Sequence, residues 1–155
     1  MRTARMILRR LLGARPTGAT APLATPSGDE IGYAPQADGL PDPGEVVWAW
    51  VPYEEDASQG KDRPVLLIGR RGDDLLGLML TSKDHDRDAE DEARHGRYWR
   101  DVGTGAWDRQ GRPSEVRLDR LLVLDPAVVR REGAALARTV FDAVLAEAGR
   151  RHSLA

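Results

Sequence analysis

The sequence contains no cysteine. Disulfide staples and thiolate metal sites are therefore excluded, and a reducing compartment such as the cytoplasm suits the chain. Lysine is nearly absent: Lys61 and Lys83 are the only two, and the rest of the positive charge is arginine. Aromatic residues make up 5% of the chain, with Phe141 the single phenylalanine, so a core must rest on Val, Leu and Ile with a few tryptophans. No charge of one sign prevails. With 23 Lys and Arg against 25 Asp and Glu, for a net charge of −2, the chain is no polycation. Any nucleic-acid surface must be a local cluster of cations. Long apolar runs are missing too. The apolar residues near the N-terminus are broken by Arg9-Arg10 and fall far short of the roughly 20 that span a bilayer. They also lack the uninterrupted core of a secretory signal, so no membrane partner is expected.

What is present suits one domain of ordinary size. The chain has 155 residues, 41% of them hydrophobic and 31% charged, with 16 glycines, which implies a modest core and much loop. Met1–Arg15 reads as a basic N-terminal segment, and Pro16–Pro43, rich in Pro, Gly, Ala, Thr and Ser, as a flexible linker. Residues 1–43 are thus expected to lie outside a domain of residues 44–152. Val46, Trp48 and Trp50 alternate with Val47, Ala49 and Val51, predicting a strand apolar on both faces that Pro52 ends. Glu54–Asp62 reads as a loop, Pro64–Ile68 as a strand, Gly69–Asp74 as a turn and Leu75–Leu80 as the second arm of a hairpin. Asp84–Arg94 carries mixed charge without an apolar face and reads as a solvated insertion. A short strand is expected at Tyr98-Trp99, and two more at Glu115–Leu118 and Leu121–Leu124. Asp125-Pro126 is a helix-start signature predicting a short first helix before Gly133. Leu136, Val140, Phe141, Val144 and Leu145 then recur at helical spacing, with Arg150, Arg151 and His152 in the last turn.

Several strands deliver polar groups at an end or on one face. Arg63 precedes Pro64, which restrains it to an extended conformation. A guanidinium fork can hold two phosphate oxygens there, or pair with Glu54, Glu55 and Asp56 at the surface. Thr81, Ser82 and Lys83 follow the third strand, where hydroxyls serve a phosphate or simply form a turn. Arg117 and Asp119, two apart on a strand, share a face and either serve a site or pair with each other; Arg120 follows directly. Lys61 stands just ahead of Arg63. Trp48, Trp50 and Trp99 are expected in the core, and Trp107, in a Gly-rich loop beside Arg109 and Arg112, is a candidate stacking platform. His85 and His95 with Asp84, Asp86 and Asp88 match no metal-ligand spacing, so no metal and no cofactor is expected.

The succession Gly44-Glu45-Val46-Val47-Trp48, Lys61-Asp62-Arg63-Pro64, Leu80-Thr81-Ser82-Lys83 and Val116-Arg117-Leu118-Asp119 resembles the MazF/PemK family of bacterial toxin ribonucleases over roughly Gly44 to Pro126. The resemblance implies a fold that is α+β and mainly antiparallel β: an SH3-like small barrel with a C-terminal amphipathic helix, in a cytoplasmic homodimer. It implies metal-independent cleavage of single-stranded RNA, with the 2′-hydroxyl attacking the adjacent phosphorus to leave 2′,3′-cyclic phosphate and 5′-hydroxyl ends. The implied partners are that RNA and a cognate antitoxin.

Arg63, Thr81, Arg117 and Asp119 match the family's catalytic positions, with Lys61, Ser82, Lys83, Trp107 and Arg120 as RNA contacts. Arginine is a poor proton donor at neutral pH, so Arg117 reads as a charge stabiliser. Neighbouring arginines oppose a base role for Asp119. The chain departs from PemK-type members in having no histidine between Glu54 and Asp62, and in the acidic insertion. Both departures suit an alternative, a non-catalytic SH3-like module that binds nucleic acid or a protein partner.

Overall fold

The structure is a computed structural model that describes residues 23–24, 28–36, 40–82, 89–130 and 134–152. The expected basic segment Met1–Arg15, Lys83 and His85 lie outside the described residues. All strand pairs are antiparallel. The described strands, in chain order, are β1 (Leu23–Ala24), β2 (Glu30–Ile31), β3 (Val46–Pro52), β4 (Gly60–Arg71), β5 (Asp74–Thr81), β6 (Trp99–Gly103), β7 (Ser114–Arg117), β8 (Leu122–Leu124) and β9 (Val129–Arg130). One path runs β1-β2-β4-β5-β7-β6, while β3 pairs with β4 and β9, and β8 with β5. The sheet therefore curls without closing into a full barrel. Among the described residues two α-helices complete the fold, α1 (Ala89–Arg94) and α2 (Arg138–Gly149). Among the described residues no helix is long and apolar enough to cross a membrane.

The curl gives two cores, one on each face of the sheet. Val46, Leu66, Ile68, Leu76, Leu78, Leu80 and Val116 pack under α2, whose Phe141, Val144 and Ala148 are buried. Val47, Ala49, Val51, Val65, Leu67, Leu75 and Met79 line the inside of the curl with Leu122 and Leu124. Period-2 alternation explains the division: Val47, Ala49 and Val51 supply the inner core and Val46 the other, while further along that second face Trp50, expected in the core, is 47% exposed. This is why β3 reads as apolar on both faces.

β4 is the spine, and it is longer than the apolar run Pro64–Ile68 predicts. It starts at Gly60 and runs to Arg71, so Arg63 lies within the strand, opposite Ala49. Pro64 is tolerated because β5 does not pair with β4 until Val65. The hairpin turn shrinks to Gly72-Asp73, with Gly72 at a φ of +60°. Gly69 belongs to the strand instead: a Cβ there would lie 2.3 Å from the Glu30 carbonyl oxygen.

That close approach corrects the linker reading. Residues 28–36 and 40–43 pack on the domain as a strap. Ile31 and Ala34 are buried, and β2 pairs with Arg70 and Gly69. Asp29 receives two hydrogen bonds from Arg71, both 2.8 Å, and Asp42 one of 3.1 Å from Arg70. The Tyr33 hydroxyl donates to the Leu136 carbonyl at 2.7 Å, and its ring meets Phe141 edge-on at 5.2 Å.

Three smaller expectations are also revised. Part of the charged insertion forms α1, which buries no residue. After Asp125-Pro126 there is a single 3-10 turn, with the Asp125 carboxylate accepting from Ala127 N at 2.9 Å. The β-branched Val128-Val129 pair then leaves helical geometry, and Val129-Arg130 add a strand to β3 in place of the expected first helix. The last helix ends at Gly149, so Arg150 caps it and Arg151 and His152 lie beyond. There Arg151 stacks on the Tyr98 ring at 3.9 Å.

Candidate active site

The inner core opens at one end of the curl, and side-chain alternation decides what lies there. On β4, Arg63 continues the row of Val65 and Leu67; on β5, Thr81 continues the row of Met79. Each row starts apolar inside the curl and ends polar at its mouth. The result is an open cleft of about 430 Å³ with Val51, Met79 and Trp99 among its apolar lining. Its walls carry Arg63, Arg97, Arg117 and Arg120 against Glu54, Glu55 and Glu92, with Thr81 between.

Arg117 is the most heavily engaged of these cations, its side chain only 8% exposed. It comes from the end of β7, opposite Trp99 of β6. Asp119 grips it side-on: Nη2 donates to Oδ2 at 2.7 Å and Nε to the same oxygen at 3.0 Å. Nη1 donates to Glu54 Oε1 at 2.5 Å. Burial works against the charged guanidinium, but the hydrogen bonds and charges of Asp119 and Glu54 outweigh it, holding its pKa above the ordinary arginine value. β7 ends at Arg117, so Asp119 turns back in the following bend. Its Oδ1 accepts from Tyr98 N at 2.7 Å. Asp119 therefore stands behind Arg117 and is not among the cleft-lining residues.

Arg63 is half-buried and makes no ion pair or side-chain hydrogen bond with another described residue. Arg120 donates to the Pro52 carbonyl at 2.8 Å, fixing the end of β3 to the cleft wall. Opposite, Glu92 of α1 accepts from Arg97 Nε at 2.8 Å and Nη2 at 3.0 Å, and from Trp99 Nε1 at 2.9 Å. The Glu92 hydrogen bonds are also the main cause of a raised Arg97 pKa.

Four of the sequence-predicted residues thus converge: Arg63, Thr81, Arg117 and Arg120. Lys61 and Ser82 are exposed and lie outside the cleft lining, and Lys83 is outside the described residues. Trp107 is not placed to stack on a base. It is 4% exposed, donates from Nε1 to Ser114 Oγ at 3.0 Å, and its carbonyl accepts from Trp48 Nε1 at 3.0 Å. A Gly-rich loop looked open in sequence, yet it folds its tryptophan into the core under α2. Sequence reasoning missed Glu54, Glu92, Arg97 and Trp99 as cleft residues. The pairing of Trp99 with Arg117 is the signal that would have found Trp99. Among the described residues, no three His, Cys, Asp or Glu side chains are grouped so as to hold a metal ion.

Residues 42–149 match the family described as PemK-like, MazF-like toxin of type II toxin–antitoxin system. Among solved structures the chain is similar to the MazE–MazF crystal structure (form II) from Deinococcus radiodurans. The identity is 20% and the TM-score 0.51, over 76% of this chain and 100% of that one. No curated protein matches.

Proposed function

Because this chain belongs to the PemK-like, MazF-like toxin family of type II toxin–antitoxin systems, we propose that it is a metal-independent endoribonuclease whose active site is the arginine-lined cleft. The observation that carries this reading is the convergence of unpaired Arg63 with Thr81 and Arg117 at the mouth of the inner core. The 2′-oxygen of single-stranded RNA attacks the neighbouring phosphorus, the bond to the 5′-oxygen breaks, and 2′,3′-cyclic phosphate and 5′-hydroxyl ends result. Negative charge grows on the non-bridging oxygens, and fixed guanidinium groups in a partly dry site stabilise it. Arg63 is available to take that role directly. Arg117 has five N–H donors, of which Asp119 and Glu54 occupy three, leaving one on each Nη for phosphate. The Thr81 hydroxyl serves as a further donor. Asp119 acts as a positioning residue that holds the guanidinium plane, and Arg120, with Lys61, Ser82 and Lys83, extends the RNA contact.

The cleft lies in the size range of small-ligand pockets, which suits one phosphate with its flanking sugars on a single strand. A homodimer would join two such clefts and strengthen a local field that the chain's net charge does not supply. A cognate antitoxin with an acidic, apolar tail would occupy the same groove. The cleft's glutamates favour one second reading, a module that binds RNA or protein without cutting. The deciding experiment incubates the protein and Arg63→Ala with a single-stranded RNA in EDTA. Cleavage by the wild type, and a loss of at least about 100-fold in the variant, is the expected result. RNA bound but uncut by the wild type would favour the binding module. A 2′-deoxyribose at the cut position should block the reaction.

A further inference from the structure

The nuclease reading leaves one role unfilled, that of a group to accept the 2′-hydroxyl proton. The cleft lining contains no histidine, so the candidates are its carboxylates, Glu54, Glu55 and Glu92, with Asp119 behind. Two are fully committed. Both oxygens of Glu92 are held by Arg97 and Trp99, and its side chain is 13% exposed. Both oxygens of Asp119 accept from Arg117, and Oδ1 also accepts from Tyr98 N. Glu55 is exposed, with no hydrogen bond or ion pair to fix its direction among the described residues. Glu54 differs from all three. Oε1 is fixed on Arg117 Nη1 at 2.5 Å, Oε2 has no hydrogen-bond partner among the described residues, and the side chain is 48% exposed to the open cleft.

We propose that Glu54 is the general base of this site. The proposal rests on the nuclease reading and adds to it the residue that starts the reaction. Glu54 sits on the guanidinium assigned to the phosphate, and in RNA the 2′-hydroxyl is adjacent to that phosphate. A carboxylate anchored there lies within hydrogen-bond reach of the proton it must take. The loop that carries it is preorganised by its own bonds, Tyr53 N to the Gln59 carbonyl at 2.9 Å and Gln59 N to the Asp56 carbonyl at 3.1 Å. An incoming phosphate oxygen takes the second N–H of Arg117 Nη1, beside Glu54 Oε1, which leaves the free Oε2 next to the sugar. The 2′-proton passes to the Glu54 carboxylate as the O2′–P bond forms. The P–O5′ bond then breaks with its electron pair on O5′, which takes a proton from water in the open mouth, and Glu54 returns its proton to solvent.

The test measures kcat and KM on a single-stranded RNA from pH 4 to 9 for wild type, Glu54→Gln and Glu54→Asp, with thermal melts to confirm folding. The charged groups facing Glu54 are Arg117 at the end of β7 and Arg120 just after it, Arg97 and Glu92 from the α1 side, Arg63 of β4, and Glu55 on its own loop. All of them remain in every variant. Glu54→Gln should lower kcat about 100-fold or more with KM unchanged or lower, and should lose the acid limb of the wild-type kcat profile. Glu54→Asp should keep that limb and recover part of the rate. Glutamine cleaving as fast as wild type or faster would overturn the proposal, making Glu54 only a counter-charge that masks Arg117. A wild type that cuts no RNA overturns the nuclease reading, and this inference falls with it.

Discussion

Two regions of this molecule pair arginine with carboxylate, and one pair in each, Arg71–Asp29 in the strap and Arg117–Glu54 in the cleft, is buried in the opposite sense. In the strap, the buried partner is the acid: the Asp29 side chain is 1% exposed while Arg71 lies over it half in solvent, and Asp42 is buried with Arg70. In the cleft the buried partner is the cation, Arg117, while Glu54 is half exposed. A buried acid with its arginine is a finished structure, because nothing else reaches it. A buried cation whose outer carboxylate faces solvent is an open site, since another anion can reach the N–H groups that Glu54 and Asp119 leave free. Proximity of opposite charges is therefore common to both regions, and only the direction of burial separates lock from site.

The largest effect that would test this contrast is in the strap. Asp42→Ala removes the buried carboxylate that the Arg70 guanidinium, only 10% exposed, pairs with at 3.1 Å. Stability to urea should fall by about 3–5 kcal/mol, as expected when one member of a buried pair is removed. RNA cleavage per folded molecule should stay at the wild-type level. A stable variant with impaired cleavage would reverse the two roles.

Next in size is Asp119→Asn, which keeps the shape but loses the charge that holds Arg117 in plane. Misplacing that guanidinium should lower kcat about 10- to 100-fold, with a smaller change in unfolding free energy than Asp42→Ala produces. Unchanged kcat would show that Asp119 does not position Arg117.

The cleft was more legible in sequence than the strap, for a physical reason. Arg63 and Thr81 end apolar rows of period 2, so strand alternation places them at one mouth without any knowledge of loops. Arg117 follows from the same logic on β7. Glu54, Glu92 and Arg97 reach the cleft from a loop, a helix without buried residues and a turn, none of which carries a period. The strap was hidden because its composition is that of a linker and its cohesion is non-local. Asp29 finds Arg71 42 residues away, and Tyr33 finds Leu136 103 residues away. Gly69 misled in the same way: read as a turn, it is the place where β2 passes too close for a side chain. The strands and final helix were legible because the apolar pattern is strong; the curl came from the family resemblance, and the open seam of the sheet depends on pairings that no local pattern specifies.

The smallest effect isolates the strap by pH. Burial raises the Tyr33 pKa above the ordinary tyrosine value; Arg138 opposes that rise, and Asp142 and Glu45 add to it. A raised folded-state value means that the folded state favours the neutral phenol. The stability gained is thus fully present below the unfolded value of about 10, and is lost as pH rises through the folded one. Ionisation would also remove the proton that Tyr33 donates to the Leu136 carbonyl. Tyr33→Phe should therefore cost about 1 kcal/mol near pH 7, the net worth of one hydrogen bond. That difference should shrink as pH climbs above 10, because phenylalanine has nothing to lose. Every other ionisable group is the same in both proteins, so the wild type minus variant difference removes its contribution. Urea unfolding of both proteins at pH 7, 9 and 10.5 measures it. A difference that stays constant across the series would show that Tyr33 does not couple the strap to proton binding.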